Sequence, residues 1–484
     1  MRHLSLPAIE SLLIAGLLLT TGCAVNPATG KRQLMLVSDS QERSLGLDSD
    51  RQIQSQMGVY DDTSLQQYVS TIGRRMAAGS ERPALDWTFR VIDDPVVNAF
   101  ALPGGYIYVT RGILAHMENE AELAAVIGHE IGHVTARHGA SQMSKAQLAQ
   151  GGLMAGAVLA PEKFEKFGGL ASQGMSLMFL KFGRDDERQA DDLGLRYMVT
   201  DGYDADPMTN MFDMLDRIGK ASQTDRLPGW ISTHPAPTSR RERSEARIAG
   251  LGAGAADGRV GRGPFLDRIE GLVFGVDPRE GFFEGAKFLH PGMRFRFEFP
   301  SGWVTQNQRQ AVIGINSEKN AVIELTIVDA PNASEALATF LGPEGIQAQG
   351  QRMGSISGLP TSGDSFVVKD ETREIRGRVG FVEYRDRVFR LLAYTTGERW
   401  ANAQSTLRRS LASFGPLSDP AALNAQPQRL AIVTVDRAMT VESFADRYDA
   451  TVDPGTLALI NRLDPGERLK SGGRYKVVRG GRRP

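Results

Sequence analysis

The stretch Glu118–Gly139, ENEAELAAVIGHEIGHVTARHG, has the pattern of one long helix. Glu118, Glu120 and Glu122 crowd its first turns, and Arg137 and His138 stand in the last turn before Gly139. That charge order suits the helix macrodipole, and a glycine is a common C-terminal stop. Leu123, Ile127, Ile131 and Val134 recur at helical spacing, so one stripe is apolar and buried. His129, Glu130 and His133 form the pattern H-E-x-x-H. Residues four apart share a helix face, so the two imidazoles can hold one zinc, and Glu130 can take a proton from a water the zinc activates. The same pattern also occurs in helices without metal, where the histidines are ordinary core or surface residues. The flanking sequence therefore decides.

Downstream, Phe182–Gly194 reads FGRDDERQADDLG. As a helix it puts Glu187 and Asp191 on one face, with Ala190 and Gly194 small enough for a close neighbour. Glu187 is the natural third zinc ligand, because catalytic zinc takes three protein ligands and keeps one position open. Asp191 can accept the spare N–H of a ligating histidine. Without a partner, such a charged run would be a solvated helix face. The small residues among the charges point to packing. Further on, ISTHPAPTSRRER (231–243) carries His234 on a Pro-rich loop. His234 can fill the open zinc position or stabilise an oxyanion, and Arg240 can serve an oxyanion or pair with a carboxylate. His116, His138 and His290 have no partner pattern and read as structural or surface residues.

Upstream, Ser38–Gln41 fits a capping box that opens a helix to about Met57. A second helix starts at Asp61 and Asp62, with Leu65, Tyr68, Val69, Ile72 and Met76 on one face. Trp87–Ile92 alternates like a strand. NAFALPGGYIYVT (98–110) reads as a hairpin turning at Pro103-Gly104-Gly105. A strand at the rim of an active site can pair with a substrate backbone, although such a hairpin can equally be structural. Ala140–Phe182 is rich in Gly, Met and Ala. It reads either as a mobile helical cover or as a plain helical hairpin, and its apolar run 151–160 is too short to cross a bilayer.

The length of 484 residues points to about three domains. The 41% hydrophobic and 23% charged content are those of a soluble globular protein. A net charge of −1 gives no sign of a nucleic-acid partner. Residues 1–22 read as a leader, with Arg2 and His3 ahead of the short apolar run SLLIAGLLL (11–19). It ends at Thr21-Gly22-Cys23, and Cys23 is the only cysteine. Small residues before a lone cysteine resemble a bacterial lipoprotein signal, with Cys23 carrying the lipid. The alternative is a free thiol in a secreted protein. Ala24 after the cysteine implies the outer membrane, where two or more acyl chains anchor stably.

Taken together, HEIGH at 129–133, ERQAD at 187–191 and THPAPTSR at 233–240 resemble the HtpX-like and CAAX-prenyl-protease-like zinc metalloproteases. The likeness is to their periplasmic BepA-like branch, and it covers about residues 38–250. It implies a mainly helical zincin (gluzincin-type) domain with a small edge-strand sheet and one zinc per chain. His129, His133 and Glu187 would be the ligands, Glu130 the general base and Asp191 the support behind a ligand. His234 would be a regulatory fourth ligand and Arg240 a neighbour of the substrate oxyanion. Asn98, Ala99, Phe100, Gly105 and Tyr106 would belong to the substrate-binding edge. Unfolded or misassembled envelope proteins would be the substrates.

The tether 23–37 and the protease domain 38–250 are followed by a Gly/Ala-rich stretch, 251–274, that reads as a linker. Residues 275–416 read as an antiparallel α+β domain, with strands at 293–299, 321–328 and 381–394 and helices at 334–341 and 400–414. A second linker, 417–429, leads to 430–478, a strand–helix–helix–strand segment. Its Asn461-Arg462-Leu463 and Leu469–Tyr475 resemble a LysM module, which binds peptidoglycan; a generic small α+β module is the alternative. A basic tail, 479–484, closes the chain. The whole is α+β. The leading expectation is a periplasmic zinc endopeptidase anchored to the outer membrane by lipid. The alternatives are a non-enzymatic envelope chaperone or wall-binding adaptor with a latent zinc site and, third, a peptidoglycan hydrolase.

Overall fold

The computed structural model describes residues 23–147, 182–221, 230, 233–234, 237–369 and 374–481. The leader, the apolar run 151–160 with most of the stretch read as a cover, and the end of the basic tail lie outside these residues. The chain divides into two compact units, one made of residues up to 275 with 429–479 and the other of 276–428 with 480–484.

The first unit begins with a short hairpin, β1 (Cys23–Val25) and β2 (Arg32–Leu34). Helix α1 (Asp39–Met57) opens with the expected capping box of Ser38 and Gln41. Helix α2 (Thr63–Ala78) is capped by Asp62 and buries Leu65, Val69, Ile72 and Met76. Strands β3 (Thr88–Ile92), β4 (Ala99–Leu102) and β5 (Tyr106–Thr110) form one sheet in the order β3-β5-β4. The hairpin β4–β5 is antiparallel and β3 pairs parallel with β5, so β4 is an edge strand. Helix α3 (Arg111–His116) leads to α4 (Glu120–Thr135), whose every residue is buried. After it come α5 (Arg184–Thr200), α6 (Pro207–Ala221) and α7 (Pro237–Leu251).

Helices α4 and α5 touch backbone to backbone. A Cβ built on Gly194 would meet the His129 amide nitrogen at 2.7 Å, and one on Gly132 would meet Ala190 Cα at 3.0 Å. The small residues among the charges of 182–194 are thus what the contact requires. Helix α4 does not end at Gly139 as its sequence pattern implies. It stops at Thr135, and Arg137 takes the left-handed turn with φ 58°. A non-glycine residue tolerates that conformation when its side chain is held. Here the Arg137 guanidinium reaches Glu42 at 2.8 Å and Asp39 at 3.0 Å.

Residues 251–274 are more ordered than a linker. They hold a 3₁₀ turn (Ala253–Ala256), helix α8 (Arg262–Ile269) and strand β6 (Val273–Phe274). Phe265, Leu266 and Ile269 are fully buried. Three apolar residues at helical spacing outweigh the glycines around them. The last part of the unit runs strand Gln428–Thr434, helix Val441–Arg447, helix Pro454–Ile460, strand Arg474–Gly480. Strand 428–434 lies between 474–480 and β6 in one three-stranded sheet. Leu430, Phe444, Leu457, Ile460 and Val477 belong to the same hydrophobic core as Leu114, Met117 and Leu123. The segment read as a module behind a linker therefore shares the core that packs around α4.

The second unit carries a seven-stranded antiparallel sheet, ordered 304–307, 311–315, 321–328, 387–396, 374–384, 361–369, 346–348. A four-stranded sheet and helices Ala333–Leu341 and Trp400–Ala412 complete it. The run 381–394 is split into two strands by a turn at Arg385, with φ 57°.

Candidate metal centre

His129 and His133 project one turn apart from α4, Glu187 comes from the first turn of α5, and His234 precedes α7. One ligand atom from each lies within 4.8 Å of all the others, and all four residues are buried. His129 Nδ1 sits 3.0 Å from Asp191 Oδ1 and donates its hydrogen there, which leaves the lone pair on Nε2. That Nε2 faces His133 Nε2 at 3.0 Å and His234 Nδ1 at 3.2 Å. Glu187 Oε1 is 2.8 Å from His234 Nδ1 and 3.5 Å from His133 Nε2. Three ring nitrogens and a carboxylate thus converge on one point. In a tetrahedral zinc site with bonds of about 2.0–2.1 Å, neighbouring ligand atoms sit roughly 3.3 Å apart. The donor set fits a divalent cation in both chemistry and spacing.

The electrostatics favour the ligand forms. Burial, reinforced by His129 and His138, holds the His133 imidazole well below its ordinary pKa and so neutral. Burial pushes the Glu187 carboxyl up, but His234 and Arg240 outweigh it and hold it ionised. For Asp191 burial is likewise overcome, chiefly by Arg240. Burial also opposes a charge on His234, yet Glu187 and Glu130 raise its pKa. A proton on His234 and a cation in the cluster are therefore rivals for the same carboxylate.

Glu130 lies beside the cluster, fully buried. Its Oε1 accepts from Trp230 Nε1 at 3.3 Å and is 3.6 Å from His234 Nε2. Among the described residues its Oε2 has no hydrogen-bond partner. A buried carboxylate oxygen with no donor costs free energy, and such groups persist mainly where function needs them.

Arg240 stands with carboxylates rather than at an open oxyanion position. Its Nε is 2.8 Å from Asp191 Oδ2, Nη2 is 2.6 Å from Asp191 Oδ1, and Nη1 is 2.6 Å from Glu187 Oε2. Of the two readings the sequence leaves open for Arg240, the geometry matches the carboxylate pair.

The five residues expected along a substrate edge separate. Ala99 and Phe100 lie in β4, and Phe100 stacks on Tyr108 at 4.8 Å. Ala101, Leu102 and Pro103 line a small pocket together with His133, Val134 and Phe182. Gly105 and Tyr106 belong to the turn and to the central strand β5, whose backbone is already paired on both sides. Asn98 is buried ahead of β4, where its amide nitrogen donates to Thr110 Oγ1 at 3.1 Å. Among the described residues the free edge facing the cluster is therefore β4, not residues 105–106.

His138, which shows no pattern in the sequence, has a place here. Its Nδ1 is 3.0 Å from His133 Nδ1 and its Nε2 is 2.9 Å from Gln189 Oε1. His138 orients the second ligand imidazole much as Asp191 orients the first. Its spacing of five from His133, across a helix end, gives no periodic signal. Trp230 stacks on His234 with ring centres 4.6 Å apart, and nothing in its sequence neighbourhood foretells this.

Comparison with known proteins points the same way. Residues 63–248 match the model of peptidase family M48. The chain is 33% identical over 205 residues to the beta-barrel assembly-enhancing protease of Vibrio cholerae, described there as putative, covering 41% of this chain and 42% of that one. It is 34% identical over 185 residues to the Arabidopsis thaliana mitochondrial metalloendopeptidase OMA1, covering 38% and 36%. With the Escherichia coli K12 beta-barrel assembly-enhancing protease it shares 28% over 223 residues, covering 44% and 45%. The chain thus spans less than half the length of these relatives.

Proposed function

We propose that this chain, whose residues 63–248 match the model of peptidase family M48, is a zinc-dependent endopeptidase. The observation that carries the reading is the convergence of His129, His133 and Glu187 beside Glu130, whose Oε2 has no donor among the described residues. A zinc bound there would polarise a scissile carbonyl and lower the pKa of water. Glu130 would accept the water's proton at Oε2 and deliver it to the leaving amine. Asp191 Oδ1 holds the His129 Nδ1 hydrogen and so fixes the tautomer, while Arg240 keeps Asp191 and Glu187 ionised and in place. The edge of β4 would hold an extended peptide by backbone pairing. His234 is the fourth group of the cluster. With it in place no position stays open for substrate, so the enzyme would be self-restrained until His234 moves.

The relatives named for β-barrel assembly support misassembled outer-membrane proteins as substrates of this chain as well. The leader and Cys23 support an envelope location with a lipid anchor. Among the described residues no helix is long and apolar enough to cross a membrane.

The test is cleavage of casein or an unfolded porin by the wild type, Glu130→Gln and His234→Ala, with zinc quantified in each. The expected result is cleavage by the wild type, faster cleavage by His234→Ala, and a loss of about 10²- to 10⁴-fold in Glu130→Gln with zinc retained. If all three hold zinc and none cuts, the site is latent, and the reading as a non-enzymatic chaperone takes its place.

A further inference from the structure

Helix α4 is buried along its whole length, so no solvent-facing side is free to absorb a shift. Its placement is settled at its two ends. At the C-terminal end Arg137 turns back onto Glu42 and Asp39. At the N-terminal end the partners come from the far end of the chain. Lys476, completely buried, puts Nζ 2.8 Å from Glu118 Oε1 and donates to the Met117 carbonyl at 2.9 Å. Arg462 grips both oxygens of Glu122, with Nη1 at 2.8 Å from Oε1 and Nη2 on Oε2. Glu122 is also the carboxylate that receives the Glu118 and Asn119 N–H groups at the start of the helix. Arg262 completes the set, 2.8 Å from Glu118 Oε2.

The segment that supplies these cations is itself braced. Asn461 exchanges two hydrogen bonds with the Lys476 backbone, both 2.7 Å. Arg217 of α6 holds Asp464 at 2.7 Å. Residues 461–464, part of the stretch that resembles a LysM module, are thus engaged with α4 and α6.

We infer that Lys476 and Arg462 are positioning residues for the metal centre: segment 429–479 is a clamp that fixes the register of the helix bearing His129, Glu130 and His133. The inference rests on the metalloprotease reading of that helix. Glu130 stands ten residues beyond Glu120, about 15 Å along the axis. A rigid helix transmits a shift at its first turn to that point undiminished. Ligands must be held within about 0.5 Å of their working geometry, and a misplacement of about 1 Å can cost 10²-fold in rate. Removing Lys476 leaves Glu118 with Arg262 alone, and removing Arg462 takes from the buried Glu122 carboxylate the cation that faces it, so the first turn must then shift to recover the lost partner.

The experiment uses the full-length protein as Lys476→Met, Glu118→Gln with Lys476→Met, Arg462→Ala and Arg462→Lys. Zinc affinity is measured by chelator competition, and kcat and KM on casein are measured well below each variant's melting temperature. Lys476→Met and Arg462→Ala are expected to bind zinc about tenfold more weakly and to lose about tenfold in kcat, with KM within about twofold. The double variant, which also removes the negative charge that Lys476 balanced, is expected to regain most of both. Arg462→Lys keeps the charge and loses the fork, so it should fall between wild type and Arg462→Ala. Wild-type zinc affinity and kcat in the folded single variants, with only the melting temperature lowered, would overturn the inference. Should Lys476→Met fail to fold, the Arg462 pair decides alone. A wild type that holds zinc but cuts nothing defeats the protease reading, yet the zinc affinities still decide whether the clamp acts on the site.

Discussion

Helix α4 joins two buried polar clusters that differ in kind. At its first turn Glu118 and Glu122 meet Lys476, Arg262 and Arg462, anion against cation, and the protein satisfies its own charges. Midway along, ring nitrogens of His129, His133 and His234 meet one another and the Glu187 carboxylate, with Glu130 beside them lacking a donor at Oε2 among the described residues. In the first cluster each carboxylate has a cation against it. The second is complete only with a cation, and that difference separates a structural cluster from a site more reliably than burial, which the two share.

Removing the cation is the largest test of the contrast. Zinc at about a thousand times its Kd stabilises a folded protein by about 4 kcal/mol. A chelator should therefore lower the wild type's free energy of unfolding, read from urea titration, by that amount. Glu187→Gln should start near the chelated value and respond little to chelator. Arg262→Gln, altered only at the matched cluster, should keep most of the response to chelator, since a tenfold weaker Kd would remove only about 1.4 kcal/mol of it.

Acid should probe the matched cluster next. His116 lies just ahead of it, with Nδ1 donating to the Gly112 carbonyl at 2.8 Å. Burial, and then the nearby Lys476 and Arg462, lower its pKa from 6.5 to about 4. The unfolded chain therefore takes up the proton first. The stability that His116 contributes is full above about pH 6.5, falls as the pH drops below that, and is gone near pH 4. A shift of that size is worth about 3 kcal/mol. Urea titrations at pH 7 and 4.5, which span most of that window, should show His116→Gln losing about 2 kcal/mol less stability on acidification than the wild type. An equal loss in both proteins would mean that the proton goes elsewhere.

The two clusters also differ in how far the sequence discloses them. The metal site is written in short spacings. The four-residue steps from His129 to His133 and from Glu187 to Asp191 each follow from one helical turn, and the small residues at 190 and 194 announce the close helix contact. Capping signals likewise mark α1 and α2, and Pro103-Gly104-Gly105 marks the hairpin. The matched cluster has no such spacing, because Met117 and Lys476 are 359 residues apart and only the tertiary fold joins them. For the same reason 429–479 reads as a separate module and 251–274 as a linker, although both bury apolar residues in the core of the first unit. His138 escapes notice because its link to His133 crosses the turn at Arg137, where helical spacing no longer holds.

Asp191 is the sharpest place to separate the two clusters, because it is a matched ion inside the unmatched one. Its carboxylate takes two hydrogen bonds from Arg240 and one from His129 Nδ1. Asp191→Asn keeps the shape but removes the charge and presents an amide that can donate. The His129 tautomer is then no longer fixed with its lone pair at Nε2, and Arg240 is left with Glu187 as its carboxylate partner in the cluster. Substituting such supporting carboxylates typically weakens metal binding by about 10- to 100-fold, or about 1.4–2.7 kcal/mol. The variant should therefore bind zinc more weakly by that factor. Because Arg240 can then pull harder on Glu187, Asp191→Asn combined with Arg240→Gln should bind zinc no worse than Asp191→Asn alone. Additive losses in the double variant would show that Arg240 supports Glu187 independently of Asp191, and that the cluster has two separate props rather than one.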